Sequence, residues 1–264
     1  MTDALASNRP LIGAERPASA SLGTRDHVNP ATGKVQASVH ICGAPEIDAA
    51  ARAAIPGQRA WLELGPEQRR DCLLKLADLV EADTANLLHM AALECGTPIS
   101  SNGSALALSW IRYYAGWADK VEGTFSEPFG VKGLAYSKHE PIGVIGVIIP
   151  WNSPLVAITM TVVLALAAGN AVILKPPTQT PFVALRFGEL ALEAGIPAGA
   201  LSVVPGDAEA GEALIAHPAV GKISFTGGDI VAKAVMRVAA EHLKPVALEL
   251  GGKSPNIVFA DADL

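Results

Sequence analysis

Five short apolar runs alternate with four longer stretches between residues 144 and 250, and this alternation constrains the fold more than any other feature. Short runs rich in Val, Ile and Leu are typical of strands buried on both faces, and the intervening stretches are long enough for helices. Parallel strands require such crossovers, which are right-handed. The sequence therefore predicts an α/β fold with a doubly wound, parallel five-stranded sheet. The predicted strands are 144–149, 171–175, 201–204, 222–226 and 246–250, and the predicted helices are 154–168, 181–194, 207–216 and 229–243.

Composition and charge narrow the classes of partner. The chain has 264 residues, of which 50% are hydrophobic and 17% are charged, so a substantial core is expected. The formal net charge is −6 and there is no basic block, which argues against nucleic acid and anionic membranes as partners. Dinucleotides and small neutral substrates are compatible with this composition.

Signals for targeting and for metal binding are weak. Residues 1–26 lack the apolar run of a secretory signal, and Gly169-Asn170 divides the apolar stretch 155–174 into pieces too short to cross a bilayer. Three cysteines and six histidines are scattered without the spacing of a metal site. A sparse, odd set of cysteines favours reduced thiols, so we expect a cytoplasmic protein without a bound metal.

The region before the alternating pattern is predicted to be mainly helical. Residues 1–24, rich in Ala, Ser, Pro and Gly, are predicted to form a loose lead-in. Helical patterns follow from Pro45 onward, with an interruption predicted at Pro56-Gly57. Residues 123–140 are rich in turn-forming residues and are predicted to form a protruding arm.

Asn152 is the strongly polar amide in the turn that follows the first predicted strand. Open α/β sheets bind ligands at the carboxyl ends of their strands, so a neutral donor here is placed to bind an oxyanion. Asparagine is also a favoured N-cap, so the alternative is a purely structural role in capping the next helix.

Lys175 and Gly227-Gly228 also follow predicted strands. A cation at Lys175 can hold ribose hydroxyls or phosphate. The alternative is a solvent-exposed lysine at the start of a loop, with which the sequence is equally compatible. Adjacent glycines allow the backbone to approach a phosphate at the start of a helix, for which Asp229 is the candidate N-cap.

Glu249 lies within an apolar predicted strand. Burial raises the pKa of a carboxyl towards the range that suits a general base, and the alternative is a structural pair with Lys253. The residues around Lys253 do not complete a P-loop, because Ala247 stands where glycine is needed and Pro255 disfavours the helix. The G-x-G-x-x-G dinucleotide fingerprint does not occur.

Taken in order, these motifs resemble the aldehyde dehydrogenase superfamily. The resemblance runs from about Val28 to Leu264. It rests on Pro150-Trp151-Asn152, Lys175-Pro176 with Thr180-Pro181, Phe225-Thr226-Gly227 and Glu249-Leu250-Gly251-Gly252-Lys253-Ser254-Pro255. It implies a Rossmann-like dinucleotide-binding domain over residues 25–264, in which 123–140 is an oligomerisation arm.

The resemblance also implies a function by descent, the oxidation of an aldehyde to a carboxylic acid with NAD or NADP as hydride acceptor. Asn152 would donate to the oxyanion, Glu249 would activate the hydrolytic water, and Lys175 would hold the adenosine ribose. The positions implied for cofactor binding are Ile149, Pro150, Trp151, Lys175, Thr178, Gly206, Phe225, Thr226, Gly227, Gly228, Leu250 and Gly251.

Two departures from the family pattern concern the nucleotide. Thr178 stands where many members have a glutamate that binds the ribose 2′-hydroxyl and repels a 2′-phosphate, so NADP is admissible beside NAD. Gly228 and Ala232 replace a serine and a glycine of the phosphate turn.

A third departure concerns the nucleophile, because the cysteine of the family lies beyond Glu249 and the chain ends before it. Cys42, Cys72 and Cys95 precede the sheet and match no nucleophile motif. We therefore expect an incomplete aldehyde dehydrogenase fold without the catalytic domain, inactive alone. The alternative is a non-catalytic module that binds a dinucleotide or a partner subunit. The complete protein is expected to be a homo-oligomer that acts on a small aldehyde.

Overall fold

The computed structural model describes residue 5 and residues 8–100 and 103–263. The strands are β1 (Thr24–Val28), β2 (Val35–His40), β3 (Phe125–Ser126), β4 (Ala135–Tyr136), β5 (Val144–Ile148), β6 (Ala171–Lys175), β7 (Leu201–Val203), β8 (Val220–Thr226) and β9 (Val246–Glu249). The helices are α1 (Ala44–Glu63), α2 (Gly65–Ala82), α3 (Thr84–Cys95), α4 (Ser104–Ala115), α5 (Pro154–Ile158), α6 (Leu164–Ala167), α7 (Phe182–Glu193), α8 (Ala208–Ala216) and α9 (Asp229–Glu241).

The predicted parallel sheet is confirmed. Its strands lie in the order β7-β6-β5-β8-β9, and each neighbouring pair is parallel. Within this sheet, the chain first forms the central strand β5. It then adds β6 and β7 on one side of β5, and crosses to the other side to form β8 and β9. The crossovers therefore diverge between β5 and β8, which is the switch point where open α/β sheets form a crevice for ligands.

Strands β5 and β6 are buried on both faces, as their uninterrupted apolar residues predict. Alternate residues enter two different cores, with Val144 and Ile148 facing α1, α8 and α9, and Val147 facing the helices of the opposite layer. Gly146 has no side chain because a Cβ there would lie 2.9 Å from Ile223 and 3.0 Å from Leu214. The central strand can therefore sit tightly under α8.

Helix α1 continues through Pro56, so the interruption predicted at Pro56-Gly57 is wrong. Pro56 is exposed, and the hydrogen bond that a proline cannot make is lost on the solvent side of the helix. Gly57 is buried where α1 crosses a loop of the sheet, and a Cβ there would lie 2.3 Å from the carbonyl carbon of Gly199. The glycine permits close packing and does not break the helix.

The predicted lead-in, residues 1–24, is anchored to the sheet at Leu11. Leu11 exchanges two backbone hydrogen bonds with Val203, of 2.9 and 2.7 Å, and is 1% exposed. An edge strand presents unpaired backbone groups, and here the lead-in satisfies some of those on β7. Residues 1–4 and 6–7 of the predicted lead-in lie outside the described residues.

Residues 123–140 include the antiparallel pair β3–β4, whose strands are two residues long. Large apolar side chains in this segment are exposed, namely Phe125, Phe129, Val131, Leu134 and Tyr136. The helix predicted at 154–168 is present as α5 and α6 joined by a π-helical turn, Thr159–Val163. In the part of the chain that is described, no helix is both long and apolar enough to cross a membrane.

Candidate functional site

The carboxyl ends of β5, β8 and β9 bring three separate segments to one cavity of about 510 Å³, which we call the switch-point cavity. Segment 149–152 follows β5, segment 225–228 joins β8 to α9, and segment 249–251 follows β9. All of the predicted site residues line this cavity except Lys175, Thr178 and Gly206. Parallel strands end at the same edge of a sheet, which is why residues about a hundred positions apart meet here.

Asn152 lies in the wall of the switch-point cavity and does not cap the following helix. The N-cap position of α5 belongs to Ser153, whose φ of 50° places it in the left-handed region. Non-glycine residues in that region are uncommon and occur often at functional sites. The capping alternative for Asn152 is therefore wrong, and the residue is exposed in the lining of a cavity that a ligand can enter.

Glu249 also lines the cavity, but it is exposed, so the expected burial of this carboxyl is wrong. The reason is its place in the sheet, since β9 is an edge strand whose residues are only half covered. The backbone N–H of Gly227 donates to the carbonyl of Glu249 over 3.0 Å and ties the two segments together. Gly228, and not Asp229 as predicted, is the N-cap of α9.

Lys175 lies in a second cavity of about 270 Å³, which we call the lysine cavity. The side chain is 7% exposed, its stem passes Gly211, and its Nζ donates to the carbonyl of Gly206 over 2.5 Å. The alternative of a solvent-exposed lysine is therefore wrong. Burial lowers the pKa of Lys175 to about 8, while the nearby carboxylate of Asp207 acts in the opposite direction.

The two cavities are adjacent, because Phe225 and Val231 line both of them. The walls of the lysine cavity are mostly apolar and are formed by Ile148, Ile215, Phe225, Val231, Val235 and Val238. Lys175 and Asp207 are charged residues in the same lining. This arrangement suits a flat apolar group that carries hydroxyls at one end.

Thr178 lies outside both cavities and binds Asp207, which the sequence did not identify as a site residue. Its Oγ1 donates to Oδ1 of Asp207 over 2.8 Å. Arg25 donates from Nη1 to Thr178 Oγ1 over 3.1 Å and from Nη2 to Oδ2 of Asp207 over 2.7 Å. Burial opposes ionisation of Asp207, but the hydrogen bonds from Arg25 and Thr178 outweigh it and lower its pKa. Asp207 follows the end of β7, so its position in the sequence could have indicated a site residue. Nothing in the sequence marks Arg25, on β1, as a site residue.

A third cavity, of about 580 Å³, lies beside the switch-point cavity and shares Trp151 with it. We call it the Glu94 cavity. Glu94 is 3% exposed and accepts hydrogen bonds from the backbone N–H groups of Phe182 and Val183, at the start of α7. Burial raises the pKa of Glu94 to about 8, although these two hydrogen bonds favour its ionised form.

Replacement of Glu94 by glutamine is expected to remove a pH-dependent loss of stability. Between pH 4.5 and about 8 the unfolded chain ionises at this position while the folded chain keeps the proton, so stability falls as the pH rises. Over that range the stability of the wild type should fall relative to Glu94→Gln by up to about 5 kcal/mol. Urea denaturation at several pH values measures this difference. Glu127→Gln, at an exposed position of the arm, is the matched control, and a parallel pH profile for wild type and Glu94→Gln would contradict the prediction.

The three thiols lie away from the switch-point cavity. Cys42 is buried, and burial raises its pKa to about 12. Burial also raises the pKa of Cys72, and Cys95 is half-buried in the lining of the Glu94 cavity. Over the ranges that the structure describes, no group of His, Cys, Asp and Glu side chains is arranged to hold a metal ion.

Comparison with known proteins identifies the relatives of this chain. The model of the aldehyde dehydrogenase family matches residues 18–264. Phenylacetaldehyde dehydrogenase of Pseudomonas fluorescens is 41% identical over an alignment that covers 96% of this chain and 53% of that protein. Retinal dehydrogenase 2 of Mus musculus is 44% identical over 247 residues, which cover 89% of this chain and 47% of that protein.

Solved structures give the same result. The aldehyde dehydrogenase of Bacillus cereus in complex with NAD⁺ superposes with a TM-score of 0.90 at 40% identity, and the match covers 97% of this chain and 53% of that one. The chain thus spans about half the length of the relatives it matches and corresponds to their N-terminal portion. The fold described here is accordingly an incomplete form of theirs.

Proposed function

Because this chain belongs to the aldehyde dehydrogenase family, we propose that it is the dinucleotide-binding portion of an enzyme that oxidises an aldehyde to a carboxylic acid. The observation that carries this proposal is the meeting of Asn152 and Glu249 at the switch point, in a cavity adjacent to that of Lys175. This arrangement supports a neutral donor and a carboxylate acting beside a bound nucleotide.

The residues of the two cavities fit NAD or NADP. The lysine cavity, at about 270 Å³, has apolar walls for an adenine ring, with Lys175 available to the hydroxyls of its ribose. Ligand pockets usually measure about 300–1,000 Å³, so this cavity suits part of a dinucleotide. The rest would extend past Gly227 and Gly228, where the N-terminus of α9 favours a pyrophosphate, into the switch-point cavity. When bound, the nicotinamide supplies the hydride acceptor.

The proposed chemistry uses two side chains of the switch-point cavity. The amide of Asn152 would donate a hydrogen bond to the oxygen of the aldehyde as negative charge develops on it. Glu249 would accept a proton from the water that releases the acid product, and its exposed position allows that water to approach. A thiolate from outside Cys42, Cys72 and Cys95 would attack the carbonyl carbon.

A second candidate function follows from the positions of the thiols. None of the three cysteines lines the switch-point cavity, which also suits a non-catalytic module that binds a dinucleotide or a partner subunit. Turnover on mixing with a polypeptide that supplies a cysteine-bearing catalytic domain would favour the enzyme over this module.

We also propose an oligomeric state and a cellular compartment for the complete protein. Segment 123–140 exposes five large apolar side chains on a short hairpin, which supports its use as an arm between subunits of a homo-oligomer. The free cysteines support a reducing compartment, and we propose the cytoplasm.

Calorimetric titration of the purified chain with NAD and NADP tests the proposed function. Saturable binding of at least one dinucleotide is expected, and AMP should compete with it, because both would place adenosine in the lysine cavity. Absence of saturable binding for both dinucleotides would contradict the proposal. Binding that AMP does not weaken would place the nucleotide elsewhere.

A further inference from the structure

We propose that Asp207 makes this chain select NAD over NADP, an inference that presupposes the dinucleotide binding proposed above. Its carboxylate would accept a hydrogen bond from the 2′-hydroxyl of the adenosine ribose in NAD. The same charge would repel the 2′-phosphate of NADP. Thr178 by itself provides neither effect, which is why the sequence admits NADP beside NAD, and the selection comes from a residue on another loop.

Asp207 lies where the ribose would be held. It lines the lysine cavity together with Lys175, and Nζ of Lys175 donates to the carbonyl of Gly206, the residue before Asp207. The ammonium and the carboxylate therefore approach the same end of the cavity. A ribose bound there would have a cation and an anion within reach of its two hydroxyls, which is the donor and acceptor pair that a diol requires.

The carboxylate is held in place by two neighbours, one on each oxygen. Arg25 binds Oδ2 and Thr178 donates to Oδ1. A carboxylate has about four acceptor positions, so these two hydrogen bonds leave room for a third from the ribose. Thr178 gives its one proton to Asp207 and accepts from Arg25, so its role is to position the carboxylate.

Arg25 does not convert the site into one for a 2′-phosphate. Its guanidinium binds both Asp207 and Thr178, so a phosphate that reached Arg25 would lie beside the carboxylate. Glu212 adds a second negative charge to the lining of the lysine cavity. Like charges at short range cost several-fold in affinity even where solvent screens them.

Titration of the wild type, Asp207→Asn and Glu209→Gln with NAD and NADP tests this selection. The wild type is expected to bind NAD about tenfold more tightly than NADP. Asp207→Asn should reduce that ratio by about tenfold, mainly through tighter binding of NADP, since the amide keeps an acceptor oxygen and loses the charge. Glu209→Gln is the control, because it removes a charge from α8 at a position outside the three cavities. The ratio of this variant should stay within about twofold of the wild-type ratio.

The ratio of the two dissociation constants is measured on one preparation, so partial unfolding of a variant does not alter it. If Asp207→Asn does not fold, Thr178→Val removes a hydrogen bond that orients the carboxylate and should lower the ratio by about threefold. Equal affinity for the two nucleotides in the wild type, or an unchanged ratio in Asp207→Asn, would overturn the inference and leave the proposed function standing. Binding of neither nucleotide would overturn both.

Discussion

The purified chain is expected to bind a dinucleotide and yet to form no NADH or NADPH from any aldehyde. The proposed chemistry needs a thiolate beside Asn152 and Glu249, and none of the three cysteines lines their cavity. Loss of a nucleophile can lower a rate on the order of a millionfold, so an intact nucleotide site would still leave turnover undetectable. The assay follows the absorbance of reduced nicotinamide with aldehydes of several sizes, and binding is measured in the same preparation.

Cys95 supplies the control for this result. It lines the Glu94 cavity, which shares Trp151 with the switch-point cavity, whereas Cys42 is buried and its pKa is raised to about 12. Formation of reduced nicotinamide above the aldehyde-free blank would contradict the prediction. If Cys95→Ser then abolished that activity without affecting nucleotide binding, the chain would be shown to supply its own nucleophile.

Replacement of Lys175 by methionine is expected to lower the affinity for NAD by about 10- to 100-fold, as loss of a buried, charged donor usually does. Methionine fills a similar volume but cannot donate to the ribose or to the carbonyl of Gly206. Calorimetric titration with NAD measures the change. Lys233→Met is the matched control, because Lys233 is exposed on α9 and pairs with Asp229 on the same helix.

The pH dependence separates this binding role from a structural one. As the pH rises through about 8, Lys175 in the folded chain loses its proton, and the affinity of the wild type for NAD should fall. Between about 8 and 10.5 the unfolded chain still carries that proton, so the contribution of Lys175 to stability rises with pH. Affinity and this stability contribution should therefore move in opposite directions. Affinity that is as high above this range as below it would exclude the protonated lysine as the ligand of the ribose.

The roles of individual site residues were less predictable from the sequence than their positions. The motifs located Asn152 and Glu249 at strand ends, and the structure brings both to one cavity. The burial expected for Glu249 was wrong, because burial depends on which strand lies at the edge of the sheet. From the sequence, Thr178 indicates only that NADP is admissible beside NAD, because the contact that joins it to Asp207 and Arg25 crosses segments far apart in the chain.

The alternation of strands and helices, the five-stranded parallel sheet and the turns that carry the site could be predicted from the residues alone. These features depend on the apolar character of short runs such as Val144–Ile148 and on the residues that end them. The strand order, the burial of Lys175 and Glu94, and the contact between Arg25 and Asp207 could not be predicted in this way. Each of these depends on which distant segments exclude water from a group or supply its partner, and spacing along the chain does not encode that.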